Sequence, residues 1–276
     1  MTRPLLAAAL IVALSGAAIA GKTETPSTNG STNLVRQAHG TAHGRDNAIS
    51  PLVLEASKAE ARTADQPMDA TRRGREIATF AGLRRGDTVI DLIPGGGYWT
   101  RLFSAIVGPK GHIYGIWPTP YAAEDVDGVK SYAATVANPA YSNVSVSTQP
   151  ATSLLAAEKV DLVFTAQNYH DYPDKFMGNV DPMVLNKAVF AALKPGGIYL
   201  IIDHSAAAGS GMRDTDTLHR IDAAVVKKQV LAAGFTFVDE SNVLANPSDD
   251  RTKIVFDKSI RGKTDQFIYK FRKPQR

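Results

Sequence analysis

Short apolar runs alternate with longer stretches of helical period along most of this chain. The first run, Val89, Ile90 and Leu92 around Asp91, reads as a buried strand beginning at Thr88. His112–Ile116, Asn143–Thr148, Val160–Thr165 and Ile198–Asp203 read as four more strands, and Phe235–Asp239 and Gln266–Phe271 as two last ones. Between them the spacing predicts helices over 51–64, from Asp69 as N-cap to Gly82 as stop, and from Tyr98 to Gly108. Further helical stretches cover 122–137, a short piece at 154–158, 182–193 behind an Asp181 cap with Pro182 first, and 223–233 behind Asp222. Lys194-Pro195-Gly196-Gly197 reads as a turn into the fifth strand. This alternation predicts an α/β three-layer sandwich around an open, mostly parallel sheet. In such sheets ligands bind beyond the carboxyl ends of the strands, near the switch point. The residues after Leu92, Trp117, Asn168–Asp171 and Asp203-His204 all follow strand ends, so they are expected to converge on one edge.

The first fifty residues have a different pattern. Arg3, the apolar stretch Leu5 to Leu14 and the small-residue site Ala18-Ile19-Ala20 predict a signal peptide over 1–20, too short to span a bilayer. Residues 21–50 are rich in Thr, Ser, Asn and Gly and predict a flexible linker. The domain is then expected over 51–276, in an exported protein of the periplasm or extracellular space with no stable membrane insertion after cleavage. The chain has no cysteine, which fits an oxidising compartment and removes disulfides and thiolate zinc sites. Removing residues 1–20 takes away Arg3 and no acid, so the formal charge goes from +4 to +3. That balance is mild and no basic block is interleaved with aromatics, so nothing argues for nucleic acid and no such partner is expected.

Candidate chemistry starts at the turn after the first strand. Pro94 ends the strand, and Gly95, Gly96 and Gly97 lead into the helix at Tyr98. Strand, glycine turn and helix together let backbone N–H groups approach a ligand closely. HExxH, Gly-x-Ser-x-Gly and GxxxxGK[ST] are absent, so the sequence supports no metalloprotease, serine hydrolase or P-loop reading, and no metal site is expected. His39 and His43 are spaced for a metal only in a helix, and Gly40 and Gly44 beside them argue against one. A nicotinamide fingerprint would need glycine at Thr100 and an acid ending the second strand, and both are missing.

GLRRGDTVIDLIPGGG, VDLVFTAQNYHD and LKPGGIYLIID resemble the class I S-adenosylmethionine-dependent methyltransferases, over about Asp69 to Pro274. PGGGYWT, NYHDY, VFAALKPGG and IIDHSA are similar, more narrowly, to exported methyltransferases of unassigned substrate. The resemblance implies a Rossmann-like seven-stranded sheet whose last strand is antiparallel between strands five and six. It implies S-adenosylmethionine as cofactor, held by Asp91, Ile93, Gly95, Gly96, Gly97, Trp117 and Asn168, and a small-molecule or exported acceptor. Three positions depart from the family. Ile93 stands at the first glycine, Trp117 replaces the acid that binds the ribose, and Gln149–Ser153 offers no acid for the adenine. Loss of the ribose carboxylate costs about 1.5–3 kcal/mol, or one to two decades of affinity, part of which stacking by Trp117 would recover.

Methyl transfer needs in-line placement and, for some acceptors, a base. His170 and Asp171 are the candidates for base or acceptor-orienting group, with Asp203 and His204 as an opposite wall in which the carboxylate raises the imidazole pKa. His219-Arg220 is expected near the same cleft. The charged segment 242–265 reads either as a solvated loop or as a lid presenting Arg251 or Arg261. The competing reading of the whole chain is a non-catalytic binding protein on a degenerate methyltransferase scaffold.

Overall fold

Val89, Ile90 and Leu92 form the centre of the molecule because every residue of their strand, β1 (Thr88–Leu92), is buried. The computed structural model describes residues 48–275. The expected signal peptide, His39, His43 and nearly all of the expected linker lie outside the described residues.

Strand β1 pairs in parallel with β2 (His112–Pro118) on one side and β4 (Val160–Ala166) on the other. Beyond them lie β3 (Val144–Gln149), β5 (Leu193–His204), β7 (Gln266–Arg272) and β6 (Thr236–Ser241), in the order β3-β2-β1-β4-β5-β7-β6. Strand β7 is antiparallel to both β5 and β6, as the resemblance implied. Side chains alternate between two cores, as a pleat requires. Val89, Leu162, Phe164 and Leu200 face α1 (Pro51–Ser57), α3 (Gly74–Ala81) and α4 (Tyr98–Val107). Ile90, Leu92, Val163 and Ile201 face α6 (Val126–Val136), α7 (Pro182–Ala192) and α9 (Ala223–Ala232). The chain order reverses between β1 and β4, which makes the cleft beyond those two strands the switch point.

Several local expectations change. The first helix stops at Ser57, and a 3₁₀ turn follows at Glu60–Arg62. That turn carries Arg62 into the interior, where it meets Asp69 at 2.8 Å and the Ser57 carbonyl at 2.8 Å. The helix expected from Asp69 breaks into α2 (Asp69–Arg72) and α3 at Arg73, whose φ is 51°. The break seats Gly74 against the Tyr98 hydroxyl, where a Cβ would clash. The helical stretch at 122–137 is likewise two pieces, α5 (Thr119–Glu124) and α6, with Asp125 capping the second.

No helix forms at 154–158, because the Gln149 side chain takes over the backbone there. Its amide donates to the Leu155 carbonyl and its oxygen accepts the Leu155 N–H, both at 2.7 Å. Lys194–Gly197, expected as a turn, lies within β5. Gly196, with φ of 81°, donates to Lys273 O at 2.9 Å, so the segment pairs with the chain after β7.

Candidate active site

The turn after β1 takes left-handed backbone at three positions, one of them not a glycine. Ile93 has φ of 57° and is buried, which for a β-branched side chain is a strained conformation that a glycine would adopt freely. Gly95 has φ of 53° and Gly97 of 75°, so the three-glycine run is used for its left-handed angles at both ends. A Cβ at Gly95 or Gly96 would meet nothing within 4 Å, leaving open space beside the turn. Gly97 differs: it is buried, and a Cβ there would lie 2.8 Å from Arg101 and 3.0 Å from the Tyr132 ring.

Two residues that no motif marks hold this turn. Arg101, one helical turn into α4, donates Nη1 to the Gly96 carbonyl at 2.7 Å. Its other nitrogens form a two-point bond with Asp65, Nε to Oδ2 and Nη2 to Oδ1, both at 2.6 Å. Asp65 sits in the 3₁₀ region ahead of α2, so the N-terminal elements brace the glycine turn from outside. Beneath it, the Thr100 hydroxyl donates to Asp91 and lies 3.0 Å from the Tyr132 hydroxyl. Asp91 is 1% exposed, and burial, only partly offset by the Thr100 hydrogen bonds, pushes its pKa up to about 7.

Trp117 ends in the interior. It is 0% exposed, with its ring 5.8 Å from Tyr121 and 6.0 Å from Tyr132, which leaves no free face for an adenine. The expected stacking role is therefore replaced by a packing one. Its indole Nε1, however, is buried without a hydrogen-bond partner among the described residues.

On the other side of the switch point, the chain leaves β4 through Gln167, another strained non-glycine residue with φ of 66°, into a 3₁₀ turn at Tyr169–Asp171. That turn puts His170 over the end of β5. Asp203 accepts from His170 twice, Oδ2 from its backbone N–H at 2.9 Å and Oδ1 facing ring Nδ1 at 2.8 Å. The pair expected between Asp203 and His204 is thus between Asp203 and His170. His170 Nε2 lies 3.3 Å from Asp171 Oδ1 and 3.4 Å from His219 Nδ1. Asn168 completes the group, its amide 3.4 Å from Asp171 Oδ2.

Charge follows from this arrangement. Burial works against the His170 cation, but Asp203 and Asp171 outweigh it and raise the pKa to about 9. Burial raises Asp171 to about 6, with His170 pulling the other way. Asp203 is buried too, yet His170 holds it below the usual carboxylate range. His204 is the opposite case: burial, opposed by Asp203, lowers it to about 3, so it is neutral and hydrogen-bonded to Thr264 at 2.8 Å. The base role expected for His170 needs its neutral form, which is a minor species at neutral pH with a pKa roughly two units higher. As placed, the ring is a cation between two carboxylates.

His219 and Arg220 do reach this region, in different ways. His219, the residue after α8 (Thr215–Leu218), has φ of 53° and packs its ring 5.0 Å from Phe256. Arg220 is wholly buried and pairs with Asp249 at 2.9 and 3.2 Å, while donating to the carbonyls of Ser205 and Lys253. Asp249 also accepts the backbone N–H groups of Asp265 and Arg251. The segment 242–265 is therefore anchored at its middle, and Phe256 makes it a wall beside His219. Arg251 is turned onto Asp265 at 2.9 Å, and Arg261 is exposed.

No family model matches the chain. Over 61 residues it is 38% identical to a protein-L-isoaspartate O-methyltransferase of Ignicoccus hospitalis, a stretch covering 22% of this chain and 29% of that protein. The chain thus spans less than a third of the length of the curated relative it matches. Among solved structures, it is similar to a SAM-dependent methyltransferase from Aquifex aeolicus, with a TM-score of 0.55 and 20% identity over 78% of this chain and 97% of that one. It is also similar to the [4+2]-cyclase SpnF, with a TM-score of 0.54 and 19% identity over 80% and 91%. A third likeness is to the glycopeptide N-methyltransferase MtfA complexed with sinefungin, with a TM-score of 0.51 and 13% identity over 74% and 86%. These likenesses, taken with the strand order and the glycine turn, show that the chain has the class I S-adenosylmethionine-dependent methyltransferase fold.

Proposed function

We propose that the protein is an S-adenosylmethionine-dependent methyltransferase acting on a small molecule or exported acceptor. The observation that carries this reading is the pairing, across the switch point, of an open glycine turn with a buried polar cluster. The turn's open side at Gly95 and Gly96 fits the methionine end of the cofactor, because nothing of the protein fills that space. At the ribose the fit is poorer: no carboxylate ends β2, and the Trp117 indole N–H there is buried. When bound, S-adenosylmethionine supplies an activated methyl group. The chain's own part is to hold that group by the backbone at Gly95–Gly97 and to orient the acceptor at His170, Asp171 and His219. Burial of His170 and Asp171 keeps water from competing.

Titration calorimetry with S-adenosylmethionine and S-adenosylhomocysteine tests this. Gly96→Val should fold as the parent does, since its Cβ meets open space, and should weaken both ligands at least tenfold. A folded Gly96→Val with parental affinity moves the cofactor elsewhere. Parental protein that binds both ligands but transfers no methyl group to any acceptor supports instead the binding-protein reading, which the missing ribose carboxylate favours.

A further inference from the structure

We propose that His170, Asp171 and His219 form a binding site for one divalent first-row transition-metal ion of the zinc type. This goes beyond methyl transfer and does not depend on it. The three donor atoms, His170 Nε2, Asp171 Oδ1 and His219 Nδ1, stand 3.3, 3.4 and 3.9 Å apart. The centre of the circle through a triangle with those sides lies about 2.1 Å from each corner, within the range of zinc–imidazole and zinc–carboxylate bonds. An ion there meets all three donors at bonding distance with the side chains where they are.

The surroundings fit a ligand set as well. Asp203 Oδ1 faces His170 Nδ1 and keeps a proton on that nitrogen, so an entering ion displaces the Nε2 proton and binds there. Because Asp203 Oδ2 also accepts the His170 backbone N–H, the ring is tied to the chain that carries it. Asn168 steadies Asp171 through its second oxygen. His219 is kept in a left-handed backbone conformation, with the Phe256 ring alongside, and such strain concentrates at functional sites. His170 and Asp171 are buried, whereas the His219 side chain is 19% exposed, so an ion reaches the site past His219. Two imidazoles and one carboxylate select zinc and its neighbours over calcium or magnesium. Three protein donors leave a position for water or an acceptor oxygen, as catalytic zinc sites do.

The test uses the full chain, stripped with a chelator and titrated with Co²⁺ and then Zn²⁺. We expect one equivalent of Co²⁺ to bind with micromolar or tighter affinity, to give a visible ligand-field spectrum, and to be displaced by Zn²⁺. His219→Ala should lower the affinity about a hundredfold, and Asp203→Asn by roughly 10–100-fold through the His170 ring. A His39→Ala/His43→Ala chain should bind as the parent does. Absence of saturable binding, or parental affinity in a folded His219→Ala protein, overturns the site. If His219→Ala does not fold, anomalous diffraction from Co²⁺-soaked parental crystals decides. A peak between the three donors supports the proposal, and a peak elsewhere or none refutes it.

Discussion

Replacing Asp91 by Asn should change how stability depends on pH. Asp91 is enclosed at the end of β1, and its pKa of about 7 lies roughly three units above that of an exposed Asp. The folded state therefore holds a proton that the unfolded chain has already released. Between the unfolded pKa near 4 and the folded pKa near 7, the unfolded chain binds fewer protons, so stability falls as pH rises. Asn carries no such charge, and its side-chain oxygen can still accept from Thr100. A one-proton difference between the two states is worth about 1.4 kcal/mol for each pH unit over which it persists. The stability of Asp91→Asn relative to the parent should then grow by about 2.5 kcal/mol between pH 5 and pH 8. For a domain of this size that is a relative rise in Tm of about 5–10 °C. The assay is thermal unfolding of both proteins, by circular dichroism, at half-unit pH steps. Taking the difference cancels the other titrating groups, including His170. A difference that stays flat from pH 5 to 8 would mean that Asp91 titrates as an ordinary carboxylate, and the account of its burial would be wrong.

Gly97→Val should destabilise the fold, not merely block a ligand. A β-branched residue at φ of 75° costs roughly 1–2 kcal/mol, and contact with the Tyr132 ring and Arg101 adds about 1–3 kcal/mol; urea unfolding showing no loss would put the turn in another conformation. Export, which rests on Arg3, the apolar core and Ala18-Ile19-Ala20, should yield a mature chain starting at Gly21, and a secreted form whose intact mass retains Met1 would refute it.

The order of strands and helices was legible in the sequence because each element carries its own period. Val89–Leu92, Val160–Thr165 and Ile198–Asp203 are apolar enough to be buried on both faces, and glycine, proline and capping aspartates punctuate the rest. The glycine turn was legible for the same local reason. What local pattern could not show is which side chains meet. Gln149 unmakes the expected 154–158 helix through a bond six residues away, and Gly196 leaves its turn for a strand because Lys273, 77 positions on, pairs with it. Arg101 and Asp65 look like surface charges, yet they brace the turn. The adjacent pair Asp203-His204 suggested a partnership, but neighbours on a strand point to opposite faces, and Asp203 turns to His170, 33 residues earlier. The triangle of His170, Asp171 and His219 has no spacing motif, since its last two members are 48 positions apart. By itself the sequence determined the layers, the sheet and the edge where chemistry gathers, because burial of periodic apolar faces is a local property. Only the tertiary structure decided which charges pair there, because pairing depends on where loops from separate strands end.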